Sequence, residues 1–377
     1  MSVTVCLVAN TYGYTDGGGH VWEYLNWALG CRAAGAEVLW LERVPAGSRP
    51  ETVRANADAL RSALEPYGFG DRVVLVSDGG EPMPPAALDG CAPADAAAGA
   101  DLLLNFGYGA PPAVPDIGRI ALVDLDPGLL QIWASRGWVE IGGHDVYFTT
   151  GETVGTPRAR FPDLGLEWQY TPSCVALDWW RSRPAAGDAP LTTVSNWSTY
   201  DEWLDDGGEW YSNDKKAGFE SFLELPRRSP RPLELALSLA ADEDDERAVL
   251  AGHGWRVRSA ESVAAKPWDY EEYIAGSAGE FSCAKPSCLR LANAWVSNRT
   301  LCYLASGKPA VVQNTGPSEL LPDEGGVFRF TTVDEAAAAL EAVDADYERQ
   351  SALARRLAEE RFDAAYVCSR LLERAVA

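Results

Sequence analysis

The chain has 377 residues, 47% of them hydrophobic, and carries 32 Lys and Arg against 55 Asp and Glu, a formal net charge of −23. That length supports two domains of ordinary size, each with its own core, while the acidic balance argues against a nucleic-acid binder or a protein that docks on an anionic membrane. No apolar run approaches the length of a membrane span, and the first strand starts at Val3 with no signal peptide before it, so a cytoplasmic location is expected.

Residues 3–9 (VTVCLVA) form the apolar run expected of a parallel strand covered on both faces. After the loop NTYGYTDGGGH, Val21, Tyr24, Leu25, Ala28 and Leu29 recur at helical spacing. Ala33-Ala34-Gly35-Ala36 ends that helix and residues 37–42 read as a second strand, which makes a βαβ unit. The pattern continues with a helix over 51–65 and strands over 72–76, 101–106, 119–123 and 146–150. Residues 79–118 are rich in Pro and Gly and read as loops, and 151–190 as irregular and Trp-rich. Most of the 14 Trp lie between residues 133 and 210, where they serve either an acceptor or interdomain packing.

A second run begins at residue 191. Strands are expected over 191–196 and 233–239, an acidic helix over 242–251, and strands over 254–258 and 279–283. Ser297 N-caps a helix over 298–306 that Gly307 ends. Pro309 opens a buried strand over 310–313, an Asn-Thr-Gly-Pro loop follows, and another helix starts near Pro317. Residues 334–343 and 346–375 read as two last helices. Two successive alternating halves predict an α/β protein of two Rossmann-like domains facing across a cleft, with boundaries at 1–185 and 186–350. The eight Cys form no CxxC pair, and Cys283 and Cys288 lack a second matched pair, so zinc is not expected. Cys6, Cys31 and Cys302 lie in apolar contexts and read as reduced core residues.

The segment 278–321 carries the clearest chemistry. Arg299 and Thr300 fall in the first turn of the 298–306 helix, so free N–H groups, the positive end of the helix dipole and a guanidinium converge, as in a phosphate or pyrophosphate site. Lys285, Arg290, Arg299 and Lys308 form the densest basic set in this half outside the final helix. Near the N-terminus, Gly17-Gly18-Gly19-His20 opens the first helix, and its glycines permit a sharp turn and close ligand approach. Trp22 stands where G-x-G-x-x-G would need its last glycine, so a nicotinamide dinucleotide is disfavoured. His20 at a helix N-terminus is held neutral near pH 7 and suits a general base, with acceptor binding or helix capping as the alternatives. Its orienting carboxylate would be Asp126 or Asp124; the rival role is capping the Pro127-Gly128 turn. Asp124-Leu125-Asp126 is also a D-x-D that could bind a divalent metal. His144 is the alternative base or a ligand contact. Gln131 and Trp133 could hydrogen-bond and stack on a ligand, or, for Trp133, pack in the core.

Ser297-Asn298-Arg299-Thr300, Ala305-Ser306-Gly307-Lys308-Pro309 and Thr315-Gly316 resemble the donor-binding half of GT-B glycosyltransferases. The resemblance extends over most of the chain and is nearest to a bacterial family-1-like group, through Gly19-His20 with Trp22, Asp126-Pro127-Gly128 with Trp133, His144-Asp145 with Phe148-Thr149 and Gly151, and the run from Ser306 to Gly316. It implies a nucleotide-diphosphate sugar (UDP-, GDP- or dTDP-linked) as co-substrate, with no separate cofactor and no metal. Lys285, Ser297, Arg299, Thr300, Thr315 and Gly316 would bind the donor. Glu319 would hold a ribose or sugar hydroxyl or cap the helix near Pro317, with Glu280 a weaker candidate. A small-molecule acceptor would lie against Gly18, Gly19, Trp22, Gln131, Trp133 and His144, with His20, Asp126 and Asp124 as the catalytic set. Residues 351–377 would form a helix crossing back to the first domain. Two Glu eight positions apart mark many retaining GT-B enzymes; Ala294 and Cys302 stand there, which favours inversion or a different ribose contact. A nucleotide-sugar epimerase of the same fold, or a non-catalytic nucleotide-sugar-binding partner, are the alternatives.

Overall fold

The computed structural model describes residues 3–80, 83–198, 203–206, 209–239, 244–321 and 325–377. Asp242 and Glu243, the start of the expected acidic helix, lie outside them. The chain divides into two compact units, one formed by Met1–Ala176 with Asp363–Ala377, the other by Leu177–Phe362.

In the first unit the order is β1 (Thr4–Val8), α1 (Gly18–Ala33), β2 (Glu37–Val44), α2 (Pro50–Leu64), β3 (Val73–Ser77), β4 (Leu102–Asn105), β5 (Arg119–Asp124), α3 (Leu129–Ser135), β6 (Val146–Thr149) and β7 (Trp168–Tyr170). All seven strands are parallel, in the order β3-β2-β1-β4-β5-β6-β7. Central strands of such a sheet are covered on both faces, which is why Val5 to Val8 and Leu102 to Leu104 are wholly apolar and fully buried.

The second unit contains β8 (Leu191–Asn196), the antiparallel hairpin β9 (Trp203–Asp206) and β10 (Glu209–Ser212), α4 (Lys215–Phe219), β11 (Leu233–Ser238), α5 (Asp244–Gly252), β12 (Arg256–Ser259), α6 (Glu261–Ala264), α7 (Pro267–Gly276), β13 (Gly279–Ser282), α8 (Pro286–Leu291), α9 (Asn298–Ala305), β14 (Ala310–Gln313), β15 (Val327–Phe330), α10 (Val333–Ala345) and α11 (Tyr347–Arg361). Its six-stranded parallel sheet runs β12-β11-β8-β13-β14-β15. One face of it packs Leu233, Leu235, Phe281 and Val311 with Trp197, Trp255 and Phe330 into a single core. Both sheets have the Rossmann order, in which the third, second and first strands are followed outward by the fourth, fifth and sixth.

The last helix, α12 (Ala364–Ala375), packs on α1 in the first unit. Small residues allow the contact: a Cβ at Gly30 would sit 2.6 Å from Cys368 Sγ and 2.7 Å from the Ala364 carbonyl. The expected single helix over 346–375 is therefore two. Phe362 leaves the helical region and the Asp363 carboxylate accepts from Ala365 N at 3.0 Å, capping a new start. The expected irregular stretch 151–190 contains β7, and residues 317–321 form turns rather than the start of a helix. The short α3, α4, α6, α7 and α8, the hairpin and β15 were not legible, because elements of a few residues carry too little periodicity to be read without their packing partners. The Trp-rich stretch is mixed: Trp180 and Trp197 are buried, whereas Trp138 and Trp210 are exposed. Among the described residues no helix is long and apolar enough to cross a membrane.

Candidate active site

In an open parallel sheet, ligands bind beyond the carboxyl ends of the strands, where the winding reverses. In the second unit that point lies between β8 and β13. A recess opens there, lined by Lys215, Trp295, Ser297, Arg299, Thr300, Gln313, Thr315 and Arg329 among others. The expected Ser297, Arg299, Thr300 and Thr315 are thus brought together, from two loops and one helix.

The N-terminus of α9 faces this recess. Ser297 occupies the N-cap position but its side chain makes no capping hydrogen bond. The first amides of a helix have no carbonyl partner within it, so those of Arg299 and Thr300 are placed to meet an anion. The preceding loop is strained: Ala292 and Ala294 both adopt left-handed backbone, at φ 47° and 56°, at about 1–2 kcal/mol each for non-glycine residues. The loop is held against Thr315 and Gly316. Ala294 N donates to Thr315 O at 3.0 Å, and Thr315 Oγ1 donates to Trp295 O at 2.8 Å. Gly316, at φ 132°, is obligatory: a Cβ would meet the Ala292 carbonyl at 2.7 Å. Strain held by such cross-bracing is a usual mark of a ligand-contacting segment.

Arg299 differs from its expected role as a free clamp. Its Nε donates to Glu280 Oε1 at 2.7 Å, one terminal nitrogen to Val194 O at 3.0 Å and the other to Ser282 Oγ at 2.6 Å. Glu280 is fully buried, so it is neither a ribose nor a sugar contact but the counter-ion of Arg299. Burial is the largest single effect and opposes the guanidinium charge, but Glu280, Tyr270 and Tyr303 together outweigh it and hold Arg299 above its ordinary pKa. Lys215, which sequence analysis missed, also lines the recess. It is the first residue of α4, whose start is capped by Asp214 accepting from Ala217 N at 2.9 Å. Its Nζ donates to Cys283 O at 2.6 Å and has no carboxylate partner among the described residues. Burial, then the neighbouring Arg299 charge, push it down to about 7.

The remaining basic set disperses. Lys285 is half-buried at the N-cap of α8, where its charge also lowers Lys215. The Arg290 guanidinium lies 4.0 Å from the centre of the Tyr211 ring. Lys308 is fully buried at the other end of α9, where Nζ donates to Arg183 O at 2.8 Å. Glu319 is exposed and does not line the recess. Ala294 and Cys302 take up the two positions of the missing Glu pair, and Cys302 is fully buried against Asn298.

In the first unit the equivalent point lies between β1 and β4, and the first turn of α1, just after the β1–α1 loop, carries His20. Its Nε2 contacts the Asn10 carbonyl at 2.6 Å; a carbonyl only accepts, so Nε2 bears the hydrogen and Nδ1 the lone pair. Burial lowers its pKa against the raising effect of that hydrogen bond, so the ring is neutral at pH 7. Tyr14 and Tyr24 flank it with ring centres at 5.6 and 5.4 Å. Among the described residues no carboxylate is hydrogen-bonded to it, contrary to expectation: Asp126 accepts from Tyr108 Oη at 2.8 Å. Asp124 is fully buried and accepts from Gln131 Nε2 and Thr149 Oγ1, both at 2.9 Å, and from Asp126 N at 3.0 Å. Burial pushes Asp124 up to about 7. With its oxygens taken by protein donors, Asp124 anchors the turn rather than half of a D-x-D metal pair, and among the described residues no group of three or more His, Cys, Asp or Glu is disposed around a metal position.

The expected acceptor contacts divide. Gly18 begins α1, buried, with Gly19 beside it half-buried. The glycine needed for close approach is Gly17, where a Cβ would stand 2.3 Å from the Tyr14 ring. Trp22 is fully buried, edge-on to Tyr67, and is a core residue. Gln131 is fully buried between Asp124 and Gly128 N, which leaves it no ligand contact, and Trp133, half-buried, packs one side against Leu122, Leu130 and Ile141. Both ring nitrogens of His144 are engaged, by Asn105 Nδ2 at 2.9 Å and Ile141 O at 3.0 Å, which leaves it no proton to take. Sequence analysis missed Glu23, one turn beyond His20 on the same helical face. It is half-buried, and burial followed by the Asp126 charge pushes it up to about 8. Also missed was Glu42, buried beneath the loop, which accepts from Thr11 N at 3.0 Å, from Thr11 Oγ1 and from Trp40 Nε1 at 2.9 Å. Because Thr11 adjoins Asn10, Glu42 fixes the carbonyl that orients His20. Glu42→Ala should cost about 3 kcal/mol in urea unfolding by leaving these donors unpaired.

No protein-family model matches the chain and no curated protein is matched. Solved structures do match. Anabaena Alr3699/HepE in complex with UDP-glucose has a TM-score of 0.59 at 13% identity, covering 98% of each chain. An alpha-glucosyltransferase in complex with UDP and a 13-mer DNA has a TM-score of 0.62 at 9% identity over 100% of each chain. Sucrose-phosphate synthase from Thermosynechococcus elongatus has a TM-score of 0.55 at 10% identity over 98% of each. End-to-end matches of this kind, together with two parallel sheets each wound in Rossmann order, identify the architecture: the chain has the GT-B glycosyltransferase fold.

Proposed function

We propose that the protein is a glycosyltransferase that moves a sugar from a UDP-sugar to a small-molecule acceptor. The observation that carries this reading is the recess at the switch point of the second sheet, where Lys215, the uncapped start of α9 and Thr315 converge in a chain of net charge −23. An anion site built against that field needs a ligand of concentrated negative charge, as a diphosphate is. UDP is favoured over GDP and dTDP because HepE and the alpha-glucosyltransferase were both solved with UDP. DNA is not carried over as acceptor, since the acidic balance opposes it.

In this reading the diphosphate lies across the start of α9 with Ser297, Thr300, Thr315 and Gly316 around it, Lys215 meets its charge, and Arg299 braces the floor. The acceptor lies on the first unit near His20 and Gly19. The acceptor oxygen attacks the anomeric carbon, its proton passes to Nδ1 of His20, and the carbon–oxygen bond to the diphosphate breaks with its electron pair leaving on UDP. The Asn10 carbonyl accepts from Nε2–H and so stabilises the imidazolium that forms. Glu23, protonated at pH 7, is available to hydrogen-bond the acceptor. Transfer proceeds by inversion without a metal.

Calorimetric titration with UDP, GDP and dTDP in EDTA tests the donor assignment, with selective UDP binding expected; no binding of any nucleotide would overturn it. His20→Ala should lower turnover by about 10²–10⁴-fold and leave UDP affinity unchanged. Undiminished turnover would remove His20 as the base.

A further inference from the structure

The second unit has another recess, at the opposite edge of its sheet. It has a volume of about 400 Å³ and is lined by Thr192, Glu234, Arg256, Arg258, Tyr273 and Ser262 among others, which is within the range of about 300–1,000 Å³ typical of small-molecule sites. Thr192, Glu234 and Arg256 lie at the amino ends of β8, β11 and β12, whereas the nucleotide recess is at the carboxyl ends.

Strand register explains how these groups meet. Glu234 is paired with Thr192 on one side and Arg256 on the other, and Ala236 with Arg258. Paired residues in a parallel sheet point to the same face, so Thr192, Glu234 and Arg256 form a polar row and Arg258 stands one step along, about 7 Å from Arg256. The intervening Leu233, Leu235 and Val257 turn to the core on the other face.

Charge in the recess is unbalanced in a specific way. Each carboxylate has a partner: Glu234 accepts from Tyr273 Oη at 2.9 Å, Glu272 pairs with Arg183 at 2.7 Å, and Asp269 accepts from Lys266 N at 3.2 Å. Arg256 and Arg258 are exposed, and among the described residues neither has a carboxylate partner. In a chain with 55 acidic side chains, two adjacent guanidiniums without one are left to a ligand.

We propose that this recess binds a phosphomonoester with a hydroxylated body, such as a sugar phosphate, distinct from the nucleotide sugar. Two guanidinium forks on one strand face grip a phosphate from two sides. Glu234 accepts from hydroxyls of the body, and Ser262 Oγ on the rim, whose own proton goes to Ser259 O at 2.7 Å, accepts from another. The site does not depend on the glycosyltransferase reading.

The test is calorimetric titration of the full chain with glucose 6-phosphate and with inorganic phosphate. Wild type and Lys215→Ala should bind glucose 6-phosphate alike, and more tightly than inorganic phosphate. The Arg256→Ala, Arg258→Ala double variant, and Arg258→Glu alone, should bind it roughly tenfold or more weakly with an unchanged thermal midpoint. Absence of binding to wild type overturns the proposal. So does binding that is lost in Lys215→Ala and kept in the arginine variants, which would leave the arginines as charges guarding an edge strand. Equal affinity for inorganic phosphate would overturn the hydroxylated body.

Discussion

Replacing Arg299 by alanine should lower the unfolding free energy by about 3–5 kcal/mol, because it strands a buried charge. Glu280 is fully buried and receives Arg299 Nε at 2.7 Å, while Val194 O and Ser282 Oγ lose donors at the same time. A ligand-clamping arginine would behave otherwise: its removal would weaken nucleotide binding and leave stability nearly unchanged. Urea unfolding beside UDP calorimetry separates the two. The double variant Glu280→Gln, Arg299→Met should recover much of the loss, since replacing both partners removes the uncompensated charge. A stable Arg299→Ala protein with abolished UDP binding would return the guanidinium to the ligand.

Lys215→Ala should weaken UDP binding about 10- to 100-fold, the worth of one charge-assisted contact to a phosphate, without loss of stability. The same residue sets a pH dependence. In the free protein the amine is held down to about 7, first by burial and then by Arg299. Diphosphate favours its protonated form and raises that pKa in the complex. Affinity is therefore full below pH 7 and falls as pH rises above it, by at most about tenfold per pH unit for a single proton. Calorimetry near pH 8 in buffers of different ionisation enthalpy should report uptake of close to one proton per UDP bound. A flat pH profile, or proton release, would show that Lys215 does not meet the phosphate. Lys215→Ala should flatten the profile, which a purely structural lysine would not do.

The two outcomes exchange the roles that sequence assigned to the basic residues, and the reason is topological. Arg299 was found because helix start, small-residue turn and glycine loop are contiguous in the chain. Lys215 lies 84 positions before Arg299 and reaches the same recess only because β8 and β13 are neighbours in the sheet. Lys308 looked equivalent to Arg299 in sequence, yet the length of α9 carries it to the far end.

The alternation of apolar strands and helices, the start of α9 at Ser297 and the Gly307 turn are local, and the sequence by itself determined them: two α/β halves, the helix that begins at Asn298 and the first turn of α1 with His20. Periodicity and capping depend on residues a few positions apart, so they survive reading without a structure. Only the tertiary structure decided which charges face a ligand and which face each other. It paired Arg299 with Glu280, gave His20 the Asn10 carbonyl instead of a carboxylate, used up both nitrogens of His144, turned Trp22 into the core, and broke the last helix at Phe362-Asp363 so that α12 could reach α1. The cost of burying a charge or a polar group is met by whichever partner the fold brings near, and that partner is as often distant in the chain as adjacent.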